Sequence, residues 1–292
     1  MASFSVMHGL GNRFAIFDGF RDGEELIAIN AVELTRALCA EEAGLRLDGV
    51  IVVDADPEGA ADARMRIWNA DGSDGVMCGN GLRCVGRLLR DRAHVDGEAF
   101  GVRTGRGVVG VRVGQEDVAV EMGTPRFELE EIPAEGSRLE VVDVLGTGAH
   151  VVRVDGYEGV LVNVGNPHLV IRADVGGSGG DVASFGARLE HHEAFGERIN
   201  VMVMQVLGRD RVAMRSWERG VGVTDACATG ACACVVAGVS MGVLDRASRV
   251  HMVGGELSVA WDESSGEIVQ RGGAVMERED VELSDYWKGA GV

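Results

Sequence analysis

Two short segments of this chain share one pattern, and this internal repeat limits the folds open to it. Each places a cysteine directly before small residues and then apolar residues at helical spacing: Met77-Cys78-Gly79-Asn80-Gly81-Leu82-Arg83-Cys84 and Ala226-Cys227-Ala228-Thr229-Gly230-Ala231-Cys232-Ala233. Asn69 and Glu218 each precede their cysteine by nine residues, and Gly11-Asn12 and Gly165-Asn166 precede the same cysteines by 66 and 61 residues. The repeat predicts two similar halves, each with a thiol at a helix N-terminus.

Short segments rich in β-branched residues make up much of the remaining chain and predict mainly antiparallel strands. These segments are residues 50–53, 64–68, 108–113, 118–122, 140–144, 150–154, 160–164, 169–172, 199–206, 212–217 and 257–261. Apolar residues at helical spacing predict helices over residues 31–43, 81–92, 184–195 and 230–244. We expect an α/β (α+β) fold of two pseudo-symmetric domains, each with a curved, mainly antiparallel sheet wrapped round a central helix.

The length of 292 residues favours two domains. We place the first at residues 1–125, with Cys78, and the second at 126–274, with Cys227. The boundary falls near Gly123-Thr124-Pro125, and the tail from about residue 275 to 292 is expected to pack back on the first half. The glycine-rich segment 176–180 is interpreted as a surface loop.

Composition narrows the classes of partner and cofactor. The chain has 28 basic and 46 acidic residues, a net charge of −18, and no basic stripe, so we expect neither a nucleic acid nor a membrane as partner. With no signal peptide and no long apolar segment, a cytoplasmic protein with reduced thiols is expected. The single lysine, Lys288, stands near the C-terminus, which argues against pyridoxal phosphate. The cysteine spacings do not fit structural zinc, so we expect no metal site.

A thiol at a helix N-terminus is a candidate acid or base, because the thiolate is the reactive form. The helix dipole contributes only about 0.3–1 kcal/mol, less than one pKa unit, so further groups must tune the thiol. His168 and Glu218 are the candidates. If the two helix ends face one another across a cleft, one thiolate can remove an α-proton while the other thiol returns a proton to the opposite face. The expected result is inversion of a stereocentre.

Six segments in order resemble the diaminopimelate epimerases. They are Met7 to Asn12, Asn69 to Ser73, Met77 to Gly81, Gly165 to His168, Glu218 to Gly222 and Ala226 to Ala231. The resemblance implies a cofactor-independent isomerase that interconverts LL- and meso-diaminopimelate, a diamino-dicarboxylate, on the route to lysine and peptidoglycan. It also implies a homodimer.

The resemblance assigns roles to matching positions. Cys78 and Cys227 become the acid/base pair, with His168 and Glu218 tuning their pKa values. The expected substrate-binding residues are Asn12, Asn69, Gly79, Asn80, Asn166, Asn200, Glu218, Arg219, Ala228 and Thr229.

Three places depart from the family pattern and leave the substrate open. Arg13 stands where aspartate is common, Leu45 to Gly49 replaces a more glycine-rich loop, and Ala228-Thr229 replaces Gly-Ser. One alternative is a racemase of the same fold that acts on another amino acid. A second is a non-catalytic redox or binding protein in which Cys78 and Cys227 form a switchable disulfide.

Overall fold

A computed structural model of the chain describes residues 2–21, 30–176 and 181–287. The chain divides into two compact units, one formed by Met1–Val120 with Gly272–Val292 and the other by Glu121–Arg271. Most of the predicted loop at 176–180 and the single lysine, Lys288, lie outside the described residues. No helix in the described part of the chain is both long and apolar enough to cross a membrane.

Strands outnumber helices in both units. The strands are β1 (Ser3–Gly9), β2 (Asn12–Asp18), β3 (Gly49–Asp54), β4 (Ala63–Asn69), β5 (Asp74–Gly75), β6 (Ala99–Thr104), β7 (Gly107–Val113), β8 (Val118–Gly123), β9 (Glu140–Val144), β10 (His150–Val154), β11 (Tyr157–Asn163), β12 (Pro167–Arg172), β13 (Asn200–Gly208), β14 (Arg211–Glu218), β15 (Gly222–Thr224), β16 (Ala247–Met252), β17 (Gly255–Trp261), β18 (Ile268–Gly272) and β19 (Val275–Glu282). The α-helices of the described residues are α1 (Ala31–Cys39), α2 (Gly79–Asp91), α3 (Val182–Glu190) and α4 (Ala228–Ser240).

The same strand order and direction occur in both units. In the first, β19, β1 and β2 are antiparallel neighbours, β3 joins β2 in parallel, β4 is antiparallel to β3, β6 joins β4 in parallel, and β7 and β8 follow antiparallel. In the second unit, β10 to β14 and then β16 to β18 repeat these steps. The short strands β5 and β15 attach at equivalent places. The repeated topology confirms the predicted pseudo-symmetric, mainly antiparallel fold.

The repeated order begins with β10 in the second unit. Its equivalent in the first unit is β19, which comes from the C-terminal end of the chain and pairs with β1. Its side chains are mostly charged and exposed, and only Val281 is buried. That composition gave no strand signal in the sequence. Backbone pairing and a few buried contacts outweigh the weak β-propensity of such a segment.

One largely buried helix packs on the sheet of each unit. Helix α2 contacts β1, β2 and β7, and α4 contacts the equivalent strands β11, β12 and β17. Glycine allows the close approach: a Cβ on Gly81 would lie 2.8 Å from Ile51 Cδ1, and one on Gly230 would lie 2.5 Å from Met202 Sδ. Both glycines stand three residues after their cysteine, so the packing is repeated along with the motif.

The eleven predicted strand segments each overlap a strand of the structure, but the other eight strands, β1, β2, β5, β6, β15, β16, β18 and β19, were not predicted. All four predicted helices are present with shifted ends. Helices α2 and α4 each begin two residues earlier than predicted, directly after Cys78 and Cys227. The first predicted helix stops at Cys39 because Ala40 is extended, and a 3-10 turn, Glu41–Ala43, follows.

Candidate active site

Cys78 is the N-cap of helix α2, so its sulfur lies at the positive end of the helix. Its backbone is extended, with φ −136° and ψ 116°, and the first-turn N–H of Gly81 donates to Sγ at 3.5 Å. The thiol itself donates to Asn12 Oδ1 across 3.7 Å. The amide donor and the helix dipole favour the thiolate at this position, whereas the Asn12 oxygen that accepts from the thiol favours the protonated form.

Two of the predicted asparagines are hydrogen-bonded beside Cys78. Asn80 Nδ2 donates at 3.3 Å to Asn12 Oδ1, the same oxygen that accepts from the thiol. Asn80 Oδ1 in turn accepts from Arg83 Nη2 at 2.8 Å. Arg83 is fully buried and was not predicted as a site residue, although it belongs to the repeated motif. Gly79, the first residue of the helix, is also buried.

Asn69 has a different set of partners at the exposed end of β4. Its Nδ2 donates to Ser73 Oγ at 3.0 Å, and Ser73 Oγ donates to Asp71 Oδ1 at 2.6 Å. These bonds stabilise the turn between β4 and β5. The substrate-binding role of Asn69 stays a prediction.

Cys227 is the N-cap of helix α4 with nearly the same geometry. Its φ is −125° and its ψ is 108°, and the N–H of Gly230 donates to Sγ at 3.3 Å. Thr229 Oγ1 lies 3.5 Å from the sulfur, and Ala228 opens the helix as a buried residue. Cys227 is only 3% exposed, so its charged form is costly unless another group compensates.

The carboxylate of Glu218 opposes ionisation of Cys227. Burial raises the pKa of the Cys227 thiol well above its ordinary value, and the negative charge of Glu218 raises it further, while hydrogen bonds from Thr229 and Gly230 lower it. Glu218 Oε1 accepts a hydrogen bond from Thr224 Oγ1 at 2.6 Å, which holds the carboxylate in place. With a raised pKa, Cys227 is protonated near neutral pH and is arranged as a proton donor.

His168 is a neutral, fully buried imidazole. Burial first, and the positive charge of Arg219 second, lower its pKa to about 3. Its Nε2 lies 2.8 Å from Asn166 Oδ1, and since that oxygen can only accept, Nε2 carries the proton. Its Nδ1 is buried without a hydrogen-bond partner. His168 therefore holds Asn166 rather than supplying a positive charge, and its influence on a thiol stays a prediction.

The loop that carries Glu218 and Arg219 is held by two buried side chains. Asn200 Oδ1 accepts the backbone N–H of Arg219 at 2.9 Å, and Asn200 Nδ2 donates to the Pro167 carbonyl at 2.8 Å. Glu190, at the end of α3, accepts the backbone N–H of Gly220 at 2.9 Å. The sequence analysis missed Glu190, because an acidic residue in an amphipathic helix carries no signal of burial.

Two of the places that depart from the family pattern, Arg13 and the loop from Leu45 to Gly49, are in contact with each other. The backbone N–H of Arg13 donates to Asp48 Oδ2 at 2.7 Å, and the N–H of Asp48 donates to the Arg13 carbonyl at 2.8 Å. The guanidinium of Arg13 forms an ion pair with Glu277. Leu45 and Leu47 are buried in the core of the first unit, so this loop is secured by packing as well as by hydrogen bonds.

All six cysteines lie in the described part of the chain as reduced thiols, with no disulfide among them. Within residues 2–21, 30–176 and 181–287, no three His, Cys, Asp or Glu side chains are grouped to hold a metal ion. Each unit thus presents one thiol at a helix N-terminus, with amide donors on the sulfur and a polar side chain beside it. Such groups can bind an anion and transfer a proton.

Comparison with known proteins identifies relatives along nearly the whole chain. A family profile described as diaminopimelate epimerase matches residues 4–128 and 160–277. The diaminopimelate epimerase of Moorella thermoacetica is 38% identical over 280 residues, covering 93% of this chain and 96% of the relative. That of Desulforudis audaxviator is 40% identical over 277 residues, covering 93% and 95%.

Solved structures share the fold at low sequence identity. A hydroxyproline epimerase from Agrobacterium vitis superposes with a TM-score of 0.65 at 15% identity, covering 95% of this chain and 89% of that one. A phenazine biosynthesis protein of the PhzF family from Bacillus anthracis gives a TM-score of 0.60 at 15% identity, covering 97% and 98%. These structures support the fold alone.

Proposed function

The chain belongs to the diaminopimelate epimerase family, and on that premise we propose that it is an isomerase that converts LL-diaminopimelate to the meso form. The proposed reaction is inversion at one α-carbon without a cofactor. One thiolate removes the α-proton, and the other thiol delivers a proton to the opposite face. Such a scheme requires both sulfurs to reach the same α-carbon.

The observation that carries the proposal is the matched setting of Cys78 and Cys227. Each caps a helix and accepts the N–H of the third helical residue. Their neighbours differ, because Cys78 donates to a neutral amide whereas Cys227 is beside the Glu218 carboxylate. A two-base inversion needs one ionised and one protonated thiol at a time, and unequal surroundings favour such a state.

The helix N-termini are also suited to hold the reacting carboxylate. The backbone N–H groups of Gly79 and Asn80, and of Ala228 and Thr229, belong to first turns and have no partner within their helices. Donors aimed at a carboxylate stabilise the charge that develops when the α-carbon loses its proton. Ala228-Thr229 stands where the family pattern has Gly-Ser, and this change of side chains retains the backbone donors.

We assign the distal end of the substrate to the asparagines and Arg219. A guanidinium can bind a carboxylate through two parallel hydrogen bonds, and Arg219 already donates through Nη1 to the Glu197 carbonyl at 2.9 Å. Asn12, Asn69 and Asn166 supply amides that both donate and accept. Asn200 acts through Arg219, whose backbone it holds.

The deciding experiment is α-proton exchange in D₂O. We expect deuterium to enter LL-diaminopimelate at the α-carbon as the meso form appears. Proline, hydroxyproline and a diamino acid without the distal carboxylate are expected to exchange far more slowly. Faster exchange with one of these amino acids would favour a racemase of the same fold with another substrate, and exchange with none would remove the proposal.

Single alanine variants test the two-thiol assignment. Cys78→Ala and Cys227→Ala are each expected to lose about 10²–10⁴-fold in turnover, the range that general acid–base groups contribute. Cys84→Ala and Cys232→Ala are matched controls, because these cysteines lie buried in the same helices. If Cys78→Ala or Cys227→Ala turned over substrate at nearly the rate of the unsubstituted protein, the two-thiol assignment would be contradicted.

The proposal also covers the cellular compartment and the oligomeric state of the protein. We assign the protein to the cytoplasm, where both thiols stay reduced as the chemistry requires. We also propose a homodimer, as the family resemblance implies. Light scattering on the purified protein tests it, and a monomer at all concentrations would contradict it.

A further inference from the structure

Asp71 and Ser73, in the turn between β4 and β5, are polar side chains to which the proposed reaction assigns no role. The turn begins at Asn69, a proposed substrate-binding residue. Its backbone is closed by two hydrogen bonds, from the N–H of Asn69 to the Ser73 carbonyl at 2.9 Å and from the N–H of Gly72 to the Asn69 carbonyl at 2.8 Å. Asn69, Asp71 and Ser73 are all exposed, so their side chains are accessible to a small molecule.

Asp71 accepts two hydrogen bonds from Ser73. Its Oδ1 accepts the Ser73 hydroxyl at 2.6 Å and the backbone N–H of the same residue at 2.8 Å. These hydrogen bonds, first the one from the hydroxyl, lower the pKa of Asp71 below its ordinary value of 3.8, while burial opposes them and the charge of Arg36 adds to them. Asp71 is therefore ionised near neutral pH, and a carboxylate can only accept hydrogen bonds.

The ionised Asp71 determines the orientation of the Asn69 amide through Ser73. Since the carboxylate can only accept, the hydrogen of the Ser73 hydroxyl points to Asp71, and the hydroxyl oxygen is left as an acceptor. The group of Asn69 that lies 3.0 Å from this oxygen must therefore be the donor, Nδ2. Asn69 Oδ1 is then left as an acceptor, and among the described residues no group donates to it.

Helix α1 fixes the position of this turn. Arg36 Nε donates to the Asp71 carbonyl at 2.7 Å. Gly72 packs on the same helix: its φ of 83° is in the left-handed region, and a Cβ there would lie 2.9 Å from Val32 Cγ1 and 3.0 Å from Arg36 Nε. The turn is therefore anchored on α1 at the two residues that precede Ser73.

The second unit holds its equivalent turn in a similar way. Glu218 occupies the position of Asn69, nine residues before the cysteine, and helix α3 binds the turn after it through Glu190, which accepts the N–H of Gly220 at 2.9 Å. There Thr224 donates its hydroxyl to Glu218 Oε1 at 2.6 Å. Each unit thus pairs a hydroxyl with the polar side chain ahead of its cysteine, and in the first unit the hydroxyl accepts instead of donating.

An acceptor held in this orientation is suited to a cationic partner. The substrate of the proposed reaction carries at its distal end an ammonium group, which only donates hydrogen bonds, and a carboxylate, which only accepts them. An amide that could rotate would bind either group, whereas Asn69 Oδ1 can bind only the ammonium. The fixed orientation of this amide therefore favours a distal ammonium over a distal carboxylate.

We propose that Asp71 is a positioning residue that acts through Ser73 to present Asn69 Oδ1 to the distal ammonium group of the substrate. The inference rests on the proposed function, since it states which group of diaminopimelate Asn69 binds and what fixes that choice. Arg36 acts one step further away, by holding the Asp71 backbone.

The test compares LL-diaminopimelate with 2-aminopimelate, which has the same carbon chain and both carboxylates but lacks the distal ammonium group. KM and kcat for LL-diaminopimelate are measured by α-proton exchange in D₂O, and the inhibition constant of 2-aminopimelate is measured in the same assay. The main variant is Ser73→Ala, which keeps the Asp71 carboxylate but removes the acceptor that orients the Asn69 amide.

In Ser73→Ala we expect KM to rise about tenfold, the size expected for one hydrogen bond to a charged group. The kcat should change little, because the contact is made equally in the ground state and the transition state. The inhibition constant of 2-aminopimelate should stay the same, because this molecule has no ammonium group to lose. Ser73→Thr retains the hydroxyl and should restore the KM of the unsubstituted protein.

Variants of Asp71 separate the hydrogen bond from the charge. Asp71→Ala should behave like Ser73→Ala, whereas Asp71→Asn keeps an acceptor for the Ser73 hydroxyl and should retain most of the affinity. Equal losses in the two variants would show that the negative charge itself attracts the substrate, and would overturn the positioning role. Asp74→Ala is the matched control, because it removes another exposed carboxylate, five residues after Asn69, and should leave KM unchanged.

A double variant tests whether the effect passes through Asn69. Adding Ser73→Ala to Asn69→Ala should cause no further rise in KM, since the side chain that Ser73 orients is already absent. An additive effect would overturn the inference, and so would an inhibition constant of 2-aminopimelate that rises as much as KM, because both indicate a general loosening of the turn.

Deuterium exchange in the unsubstituted protein distinguishes the two possible failures. If LL-diaminopimelate exchanges but the variants do not behave as expected, only the role of Asp71 is rejected. If LL-diaminopimelate does not exchange, the proposed function is rejected and this inference with it.

Discussion

The buried carboxylate of Glu190 accepts the backbone N–H of Gly220 at 2.9 Å, while its other oxygen accepts the indole N–H of Trp217 at 2.7 Å. Glu190 ends helix α3 and is 2% exposed. Gly220 follows Glu218 and Arg219, so one side chain from a helix determines the path of the loop that carries two proposed site residues. Close packing of helix α3 on Trp217 also stabilises this arrangement, because a Cβ on Gly186 would lie 2.5 Å from the Trp217 ring.

Glu190→Gln is expected to reduce both stability and turnover. The substitution removes the charge from two hydrogen bonds, and losing one such buried partner costs about 1–3 kcal/mol of unfolding free energy. Turnover should fall about tenfold or more as the loop loosens. Glu193→Gln is the control, since Glu193 is exposed and forms a surface ion pair with Arg138. Equal unfolding midpoints in urea for the two variants would contradict the role of Glu190.

The stability difference between the unsubstituted protein and Glu190→Gln should depend on pH. Burial raises the pKa of Glu190, but the hydrogen bonds from Trp217 and Gly220 outweigh it and hold the pKa below its ordinary value of 4.5. A carboxyl with a lowered pKa stabilises the fold fully above its unfolded-state pKa and loses this effect as the pH falls through the folded value. Urea unfolding at pH 7 and below pH 4 should show the difference shrinking.

Glu218→Gln is expected to make Cys227 easier to ionise. The Glu218 charge raises the pKa of that thiol in addition to the effect of burial, so removing it should move the midpoint of Cys227 alkylation by iodoacetamide to lower pH. Turnover should fall at the same time, because the thiol loses its tuning group. Cys78 is the internal control, because its alkylation against pH is followed by mass spectrometry of its own peptide in the same sample. An unchanged or higher midpoint for Cys227 would show that the carboxylate does not tune it.

Gly230→Ala tests the close packing of helix α4 on its sheet. The added Cβ would lie 2.5 Å from Met202 Sδ and 3.2 Å from Cys227 Sγ, and overpacking of this kind costs typically about 1–3 kcal/mol. We expect a lower thermal unfolding midpoint and reduced turnover. Gly196→Ala is the control, because a Cβ added there would meet nothing within 4 Å beyond its chain neighbours. Equal midpoints for the two variants would contradict the packing argument.

Arg92→Met is expected to destabilise the first unit by about 3–5 kcal/mol, because it leaves the carboxylate of Asp18 without its main partner. Arg92 binds Asp18 at 2.8 Å and also Glu279 and Asp280 of β19. Burial raises the pKa of Asp18, but Arg92 and His94 lower it below its ordinary value. Urea unfolding measures the loss. A change below about 1 kcal/mol, typical of exposed pairs, would contradict the role of this ion pair.

Much of the site could be predicted from sequence because its signals are local. A cysteine followed by small residues and then by apolar residues at helical spacing predicts an N-cap, and the structure has both Cys78 and Cys227 in that position. The helices even begin closer to the cysteines than predicted, because the third residue of each helix donates its N–H to the sulfur. The strands β1 and β19 were missed because pairing between distant segments decides them.

The amino-acid sequence by itself determined the internal repeat, the family and the two capping thiols, since these depend on spacing within a few residues. Only the tertiary structure decided which groups surround each thiol. Asn80 meets Asn12 across 68 residues, Arg83 meets Gly273 across 190, and Glu190 meets Gly220 across 30. Hydrogen bonds of this kind depend on how strands and helices pack, and no local pattern of residue types encodes that arrangement.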